Sequence, residues 1–155
     1  MKKNWPIFLL YLFMSSFAYA QSDAVIVFLR NDHIFPLDAD IAKYQIHFGD
    51  TTKKIRNHSI CIYKIENNSP DFYIEVPGLY WPNNKNELFK SPPLGTITFI
   101  EIRKSKMYAA KIIASKLKYD ELKYIYIQKK WFRNSLMKAG YNSLDELIKN
   151  YKVNE

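Results

Sequence analysis

Cysteine is nearly absent from this sequence, which contains only Cys61 among its 155 residues. One cysteine cannot form an internal disulfide, so the fold must be stabilised by packing and not by covalent cross-links. Cys61 lies between Ile60 and Ile62. This apolar setting predicts a buried small hydrophobic side chain, with a reactive thiol or an intermolecular disulfide as the less favoured alternative.

Glycine is also scarce, and its four positions lie far apart in the chain: Gly49, Gly78, Gly95 and Gly140. Loops that bind phosphate through consecutive backbone amides contain clustered glycines, and no such cluster occurs here. Serine, histidine and aspartate occur without the strand–turn–helix motif that exposes a hydrolase nucleophile. The sequence therefore implies no cofactor and no catalytic nucleophile.

Metal ligands are few, because the three histidines fall in different predicted elements: His33, His47 and His58. Carboxylates and imidazole come closest together at Asp32, His33, Asp38 and Asp40, a polar segment that a loop could fold around a cation. A solvated polar loop explains the same residues, and we predict no metal site.

Paired carboxylates leave one enzymatic alternative open. Glycoside hydrolysis uses two carboxyl groups that flank the scissile bond. The fold would have to bring together two of the candidates Glu75, Glu87 and Glu101. A hydrolase acting on cell-wall sugar or peptide is thus an alternative to a non-catalytic protein, which the sequence favours.

Long apolar runs are missing except at the start of the chain. Lys2 and Lys3 precede an apolar run over residues 5–13, and small residues follow, ending in Ala18-Tyr19-Ala20. This order is typical of a signal peptide cleaved after Ala20, and the run is too short for a comfortable transmembrane helix. A retained membrane helix is the alternative. We expect export to the periplasm or beyond, with residues 1–20 removed.

The expected mature chain is basic, with 21 Lys and Arg against 15 Asp and Glu, a formal charge of +6. This charge favours acidic partners. One basic stretch, residues 116–130, is a candidate for peripheral contact with an anionic membrane surface, although a solvated face explains it equally well. An exported protein meets no chromosome, so we expect no nucleic-acid partner.

Five segments have the aromatic and β-branched composition or the alternation of strands: residues 24–30, 43–48, 58–65, 72–76 and 96–102. The first is apolar throughout, which predicts a central strand buried on both faces. Alternation in the second places Tyr44, Ile46 and Phe48 towards the core. Residues 124–127 also have strand composition, whereas residues 107–118 suit a strand or a helix.

The tail is predicted to be helical. Good helix formers fill residues 129–139, and Gly140 stands where a helix C-terminal cap is expected. Ser143 and Glu146 form a capping box, in which each side chain accepts the other residue's backbone N–H. The sequence thus predicts a mainly β (α+β) fold: a small antiparallel β-sandwich over residues 21–128 with a C-terminal helical pair over residues 129–155.

A long loop over residues 79–94 carries the candidate binding site. Aromatic rings and cations lie together there, a composition that binds sugars, peptides or anionic polymers: Tyr80, Trp81, Lys85, Phe89 and Lys90. The alternative is that Trp81 and Phe89 close one end of the sandwich.

Four short motifs resemble a family of uncharacterised bacterial secreted or lipid-anchored β-sandwich domains. They are the strand at residues 24–30, Ile55-Arg56-Asn57-His58-Ser59, Val76-Pro77-Gly78, and Leu94-Gly95-Thr96-Ile97-Thr98-Phe99. The sequence departs from the family in lacking a lipid-attachment Cys, in having His58 where a turn Gly is usual, and in its helical tail. The resemblance implies a non-catalytic envelope protein and supplies no active-site residues.

Taken together, these features predict an exported protein that binds another envelope protein or a cell-wall component. A hydrolase and a protective protein that binds a toxin are the alternatives.

Overall fold

A computed structural model of the chain describes residues 23–32, 44–66, 71–75, 86–104 and 112–155. These residues form nine strands and three helices: β1 Ala24–Arg30, β2 Tyr44–Phe48, β3 Thr51–Ile55, β4 Ser59–Ile65, β5 Phe72–Glu75, β6 Asn86–Phe89, β7 Thr96–Lys104, β8 Ile112–Lys116, α1 Tyr119–Gln128, α2 Lys130–Lys138, α3 Leu144–Ile148 and β9 Lys152–Val153. The fold class predicted from the sequence, a mainly β sandwich with a helical C-terminal part, is confirmed.

The first sheet is built around β1 and has the strand order β4-β1-β7-β8. β1 pairs antiparallel with β4 and parallel with β7, so this sheet is mixed. β9 lies parallel to the start of β7, on the side where β8 pairs with its later residues. Every residue of β1 is buried, which confirms the prediction of a central strand.

The second sheet is antiparallel and has the order β3-β2-β5-β6. In β2, burial alternates as the sequence predicts, and Tyr44, Ile46 and Phe48 are buried. β3 and β6 were not predicted: β3 follows β2 after a turn at residues 49–50, and β6 lies within the expected loop.

Two hydrophobic cores divide the molecule into three layers. One core lies between the sheets, and residues such as Ile26, Phe28 and Phe72 contribute to it. The other lies between the first sheet and the helices, and includes Val27, Phe99 and Leu136. Alternate residues of β1 therefore enter different cores, which explains why a strand apolar on both faces is required there.

The prediction that residues 124–127 form a strand is wrong, because they lie within helix α1, Tyr119–Gln128. Its first turn is held by carboxylates: Glu121 accepts the Lys118 amide, and Glu155 accepts the Tyr119 amide. At its other end, Arg133 of α2 donates to the backbone oxygen of Tyr126 at 2.6 Å and also to that of Ile127. These contacts supply partners for backbone groups that a helix end leaves unpaired.

Helices α2 and α3 lie where the sequence predicts them. Helix α2 ends before Gly140, which has a φ of 92°, a value suited to glycine at a helix C-terminus. At α3, Ser143 Oγ accepts the Glu146 amide at 3.1 Å as predicted. The Glu146 carboxylate instead accepts the amide of Asn142, at 2.7 Å, one residue earlier than expected. No helix of the described residues is long and apolar enough to cross a membrane.

Candidate functional site

The outermost strand of the first sheet, β4, forms the floor of a groove. Because alternate residues of a strand point to opposite faces, Ile60, Ile62 and Lys64 share the face that looks towards the helices. Ile60 and Ile62 are only half-buried, and Lys64 is exposed. The helical layer thus leaves this strip of β4 partly open.

Helix α2 and the segment after it form the wall of the groove. Ser135, Lys138 and Ala139 recur at three- and four-residue spacing, and they line the groove together with Tyr141. The groove has a volume of about 470 Å³. Lys64 and Lys138 are its charged lining residues, and no carboxylate is among the described residues that line it. It is therefore an open groove with apolar residues in its floor and a lysine on each of the two elements that form it.

The free edge of β4 adds a second binding feature. β4 pairs with β1 on one side, and no strand in the described ranges pairs with its other side. An edge strand presents backbone donors and acceptors that another extended segment can pair with. Groove and edge belong to the same strand, so one peptide could use both.

A buried polar cluster lies at the far end of β1. Arg30 Nε donates to Asp32 Oδ2 at 2.8 Å, and each side chain is 4% exposed. The same carboxylate oxygen accepts the Tyr44 hydroxyl at 2.8 Å, and the Arg30 guanidinium lies 3.7 Å from the Tyr44 ring centroid. Burial, reinforced by the Asp32 charge, raises the pKa of Tyr44 strongly. The cluster joins the two sheets and is closed to a ligand.

A second row of polar groups lies on the outer face of the second sheet. His47 Nδ1 lies 3.0 Å from Thr52 Oγ1, and its Nε2 lies 3.1 Å from a Glu75 carboxylate oxygen. The Nε2 contact is not aligned as a hydrogen bond, and Tyr73 stacks on the imidazole at 4.5 Å. Tyr73 thus covers one face of the His47 imidazole.

Two of the three carboxylates considered for glycoside hydrolysis, Glu75 and Glu101, lie on opposite sides of the sandwich. Glu75 follows buried Ile74 and points outward from the second sheet. Glu101 pairs with Leu29 on the helix side of the first sheet and accepts the Asn31 side-chain amide at 3.0 Å. Packed sheets lie about 10 Å apart, which already exceeds the separation of about 6.5–9.5 Å in inverting glycosidases. Glu87 lies in β6, where only the backbone is described.

His47, His58 and Cys61 lie in different parts of the fold. His58 stacks on Trp131 of α2 at 5.5 Å, whereas His47 lies on β2 of the second sheet. Cys61 is half-buried against the core between the sheets, and burial raises the pKa of its thiol. No group of three metal-ligating side chains occurs in the ranges that the structure describes. His33, Asp38 and Asp40 lie outside those ranges.

Three of the five residues predicted for the binding site, Tyr80, Trp81 and Lys85, lie outside the described residues, and Phe89 is described in its backbone only. Lys90 is described and exposed. The groove on β4 was not predicted, because no sequence pattern shows which strand lies at the edge of a sheet. The sequence did contain one sign that this face of β4 is partly open. Lys64 is charged in a mostly apolar strand, and it lies at a position that faces the helices.

Comparisons with known proteins give only partial structural overlaps. No family model matches the chain, and no curated protein is significantly similar to it in sequence. The membrane-binding domain of pneumolysin overlaps 62% of this chain and 96% of its own, at 13% identity and a TM-score of 0.34. A non-hemolytic pneumolysin from Streptococcus pneumoniae strain ST306 overlaps 62% of this chain at 13% identity and a TM-score of 0.34.

A disulfide-locked intermedilysin mutant with human CD59 overlaps 62% of this chain at 13% identity and a TM-score of 0.33. The overlap covers 24% of that intermedilysin chain and 24% of the Streptococcus pneumoniae chain. Similarity at this level carries no conclusion about the function of this chain.

Proposed function

We propose that this chain is an exported, non-catalytic protein that binds an extended segment of another envelope protein. The groove between β4 and α2 carries the proposal, because it combines an apolar floor, flanking lysines and a strand edge. Export follows from the signal-like residues 1–20.

The groove favours a particular kind of segment. A strand added along β4 would pair its backbone with the free edge and send alternate side chains to the helix side. Apolar side chains would cover Ile60 and Ile62, and acidic ones would lie near Lys64 and Lys138. The partner segment is therefore extended, with acidic and apolar residues.

Binding is favoured over hydrolysis by the arrangement of titratable groups. Glu75 and Glu101 face opposite sides of the sandwich, and His47 is covered by Tyr73. An acid–base pair has to converge on one substrate position, and these groups do not. The protective, toxin-binding alternative shares the binding mode and differs only in the partner.

Site-directed photo-crosslinking in intact cells tests the proposal. A crosslinking residue replaces Ser135 in the groove, or exposed Lys123 on α1 as the control position. We expect a discrete protein adduct from position 135 only. When the crosslinking residue at position 135 is combined with Lys64→Glu and Lys138→Glu, the yield of adduct should fall at least tenfold, because both flanking charges are reversed.

The matched control reverses two exposed lysines outside the groove, Lys123→Glu and Lys149→Glu, and should leave the adduct at position 135 unchanged. Equal adducts from positions 135 and 123, or equal losses with either pair of charge reversals, would contradict binding in the groove. Adducts confined to cytosolic proteins would contradict the envelope partner.

A further inference from the structure

The outer face of α1 carries two large apolar side chains in contact with solvent. Tyr124 is 65% exposed and Ile127 is 57% exposed. They stand three residues apart in a ten-residue helix, so they are neighbours on its surface. Exposed apolar residues scattered singly are common on proteins, whereas adjacent ones form a patch. Tyr124 and Ile127 therefore form one apolar patch.

The opposite face of α1 already packs on the core beneath the helices. Leu122 is fully buried there, and Ile125 and Tyr126 pack against the same core. Helices with apolar side chains all round are buried in proteins or in membranes. The outer patch is not needed to hold α1 on the protein, and its apolar surface is open to a second contact.

Lysines lie beside the patch and at both ends of α1. Lys123 directly precedes Tyr124, lies one turn before Ile127 on the helix surface, and is exposed. A lysine side chain can lie along an apolar surface while its ammonium group reaches a polar one. The other lysines of this segment flank the helix: Lys116, Lys118, Lys129 and Lys130.

Carboxylates do not cancel these charges. Asp120 and Glu121 are the acidic residues between positions 116 and 130, against five lysines, which leaves a formal charge of +3. The Glu121 carboxylate is also engaged, because it accepts the Lys118 amide at 2.9 Å. The apolar patch therefore lies within a positively charged surface.

The size of the patch distinguishes a membrane from a protein partner. Two partly exposed side chains offer roughly 250 Å² of surface, well below the about 800 Å² per partner that a stable protein–protein interface buries. A bilayer surface requires only shallow insertion of apolar side chains, and tyrosine is suited to the level of the head groups. Lysines near such a surface are attracted to anionic lipids.

We propose that the outer face of α1 docks the protein on the surface of an anionic lipid bilayer. Tyr124 and Ile127 enter the head-group region, and Lys123 and Lys130 lie against lipid phosphates. None of the described residues that line the groove on β4 belongs to α1. Docking on lipid therefore neither requires nor replaces binding in the groove.

Co-sedimentation of the purified exported protein with liposomes tests this inference. Vesicles of equal parts phosphatidylcholine and phosphatidylglycerol should bind the protein at least tenfold more strongly than phosphatidylcholine alone. Tyr124→Gln with Ile127→Gln should weaken binding to the anionic vesicles at least tenfold, and so should Lys123→Gln with Lys130→Gln. Glutamine is a good helix former, and all four positions are exposed, so these variants should keep the fold.

The matched controls make the same chemical changes away from α1. Leu94→Gln replaces an apolar residue that is 49% exposed. Lys53→Gln with Lys54→Gln removes two exposed lysines from β3, in the second sheet. Both control variants should bind the anionic vesicles like the unchanged protein.

The proposal has three contrary outcomes. No binding to anionic vesicles, or equal binding to both kinds of vesicle, would exclude docking on anionic lipid. Equal weakening by the control variants would reduce the effect to net charge or general apolar exposure. A photo-crosslinking residue at position 124 that gave a discrete protein adduct in intact cells, and no lipid adduct, would assign this face to a protein partner.

Discussion

At the scale of single residues, the buried Arg30–Asp32 pair carries a large desolvation cost. Two charges that are each 4% exposed have lost most of their hydration, so each must be compensated by its partners. Asp32 Oδ2 accepts from both Arg30 and Tyr44, and Arg30 also donates to the Ile55 backbone oxygen at 3.2 Å. The cluster connects β1 with the second sheet.

Asp32→Asn should therefore destabilise the protein far more than Tyr44→Phe. The first change removes the carboxylate charge that lies 2.8 Å from the buried Arg30 Nε and should cost about 3 kcal/mol. The second removes one hydrogen bond and retains the ion pair, at about 1 kcal/mol. Urea unfolding of both variants measures the difference. Equal losses would mean that the charge pair contributes no more than the hydroxyl.

Sequence patterns could not reveal this cluster, because its members are brought together by the fold. Arg30 ends a predicted strand and Asp32 belongs to the polar segment after it, while Tyr44 is an ordinary core position. His58 shows the same limit. It has a φ of 52°, the conformation that a turn glycine adopts, and its ring stacks on Trp131 of α2. The expected glycine conformation is thus kept by a residue that adds a packing contact.

At the scale of elements, α1 shows tertiary contacts overriding local composition. Tyr124-Ile125-Tyr126-Ile127 favours a strand by β-branching and aromatic content. In the structure Leu122 is buried in the core beneath the helices, and Ile125 and Tyr126 pack against the same core. Helix ends fixed by Glu155 and Arg133 complete the reason why this segment is helical.

Arg133→Gln should loosen the end of α1 specifically. Loss of charge-assisted hydrogen bonds to the last carbonyls should cost about 1.5 kcal/mol and speed amide hydrogen exchange throughout α1. Lys130→Gln removes an equal charge from an exposed position of the same helix and should change stability by less than about 0.5 kcal/mol. If Arg133→Gln left amide hydrogen exchange in α1 unchanged, packing alone would account for the stability of this helix.

Among the strands at sheet edges, β3, β6 and β9 were not predicted from the sequence, whereas β4 was. Thr51 to Lys54 of β3 are exposed, so no alternation of polar and apolar residues marks the strand. β9 has two residues and depends on β7 for its pairing. Central strands were predictable because burial on one or both faces constrains their side chains, and edge strands escape that constraint.

At the scale of the whole molecule, the order of strands follows from long-range pairing and not from local signals. The apolar run of β1 correctly predicts a central strand, but its parallel partner β7 begins at Thr96, some seventy positions along the chain. Among the described strands, β4 and β8 are the outermost of this sheet, and the groove lies on β4. The groove therefore depends on topology that the sequence does not display.

Export is the whole-molecule property on which the envelope partner depends. Asp23 is the first described residue, and its backbone oxygen accepts the Gly95 amide at 2.9 Å. Cleavage after Ala20 would remove the signal-like segment and leave this contact and all of β1 intact. We therefore expect the protein recovered from cells to begin at Gln21 and to fractionate with the envelope or medium, as measured by N-terminal sequencing and intact mass.

Replacing the small residues before the cleavage point, Ala18→Lys with Ala20→Lys, should block processing because signal peptidases require small side chains there. Lys2→Arg retains the basic start and should be processed normally. Recovery of an uncleaved chain from the cytosol would remove the basis for an envelope partner. The groove on β4 would then have to bind a different partner.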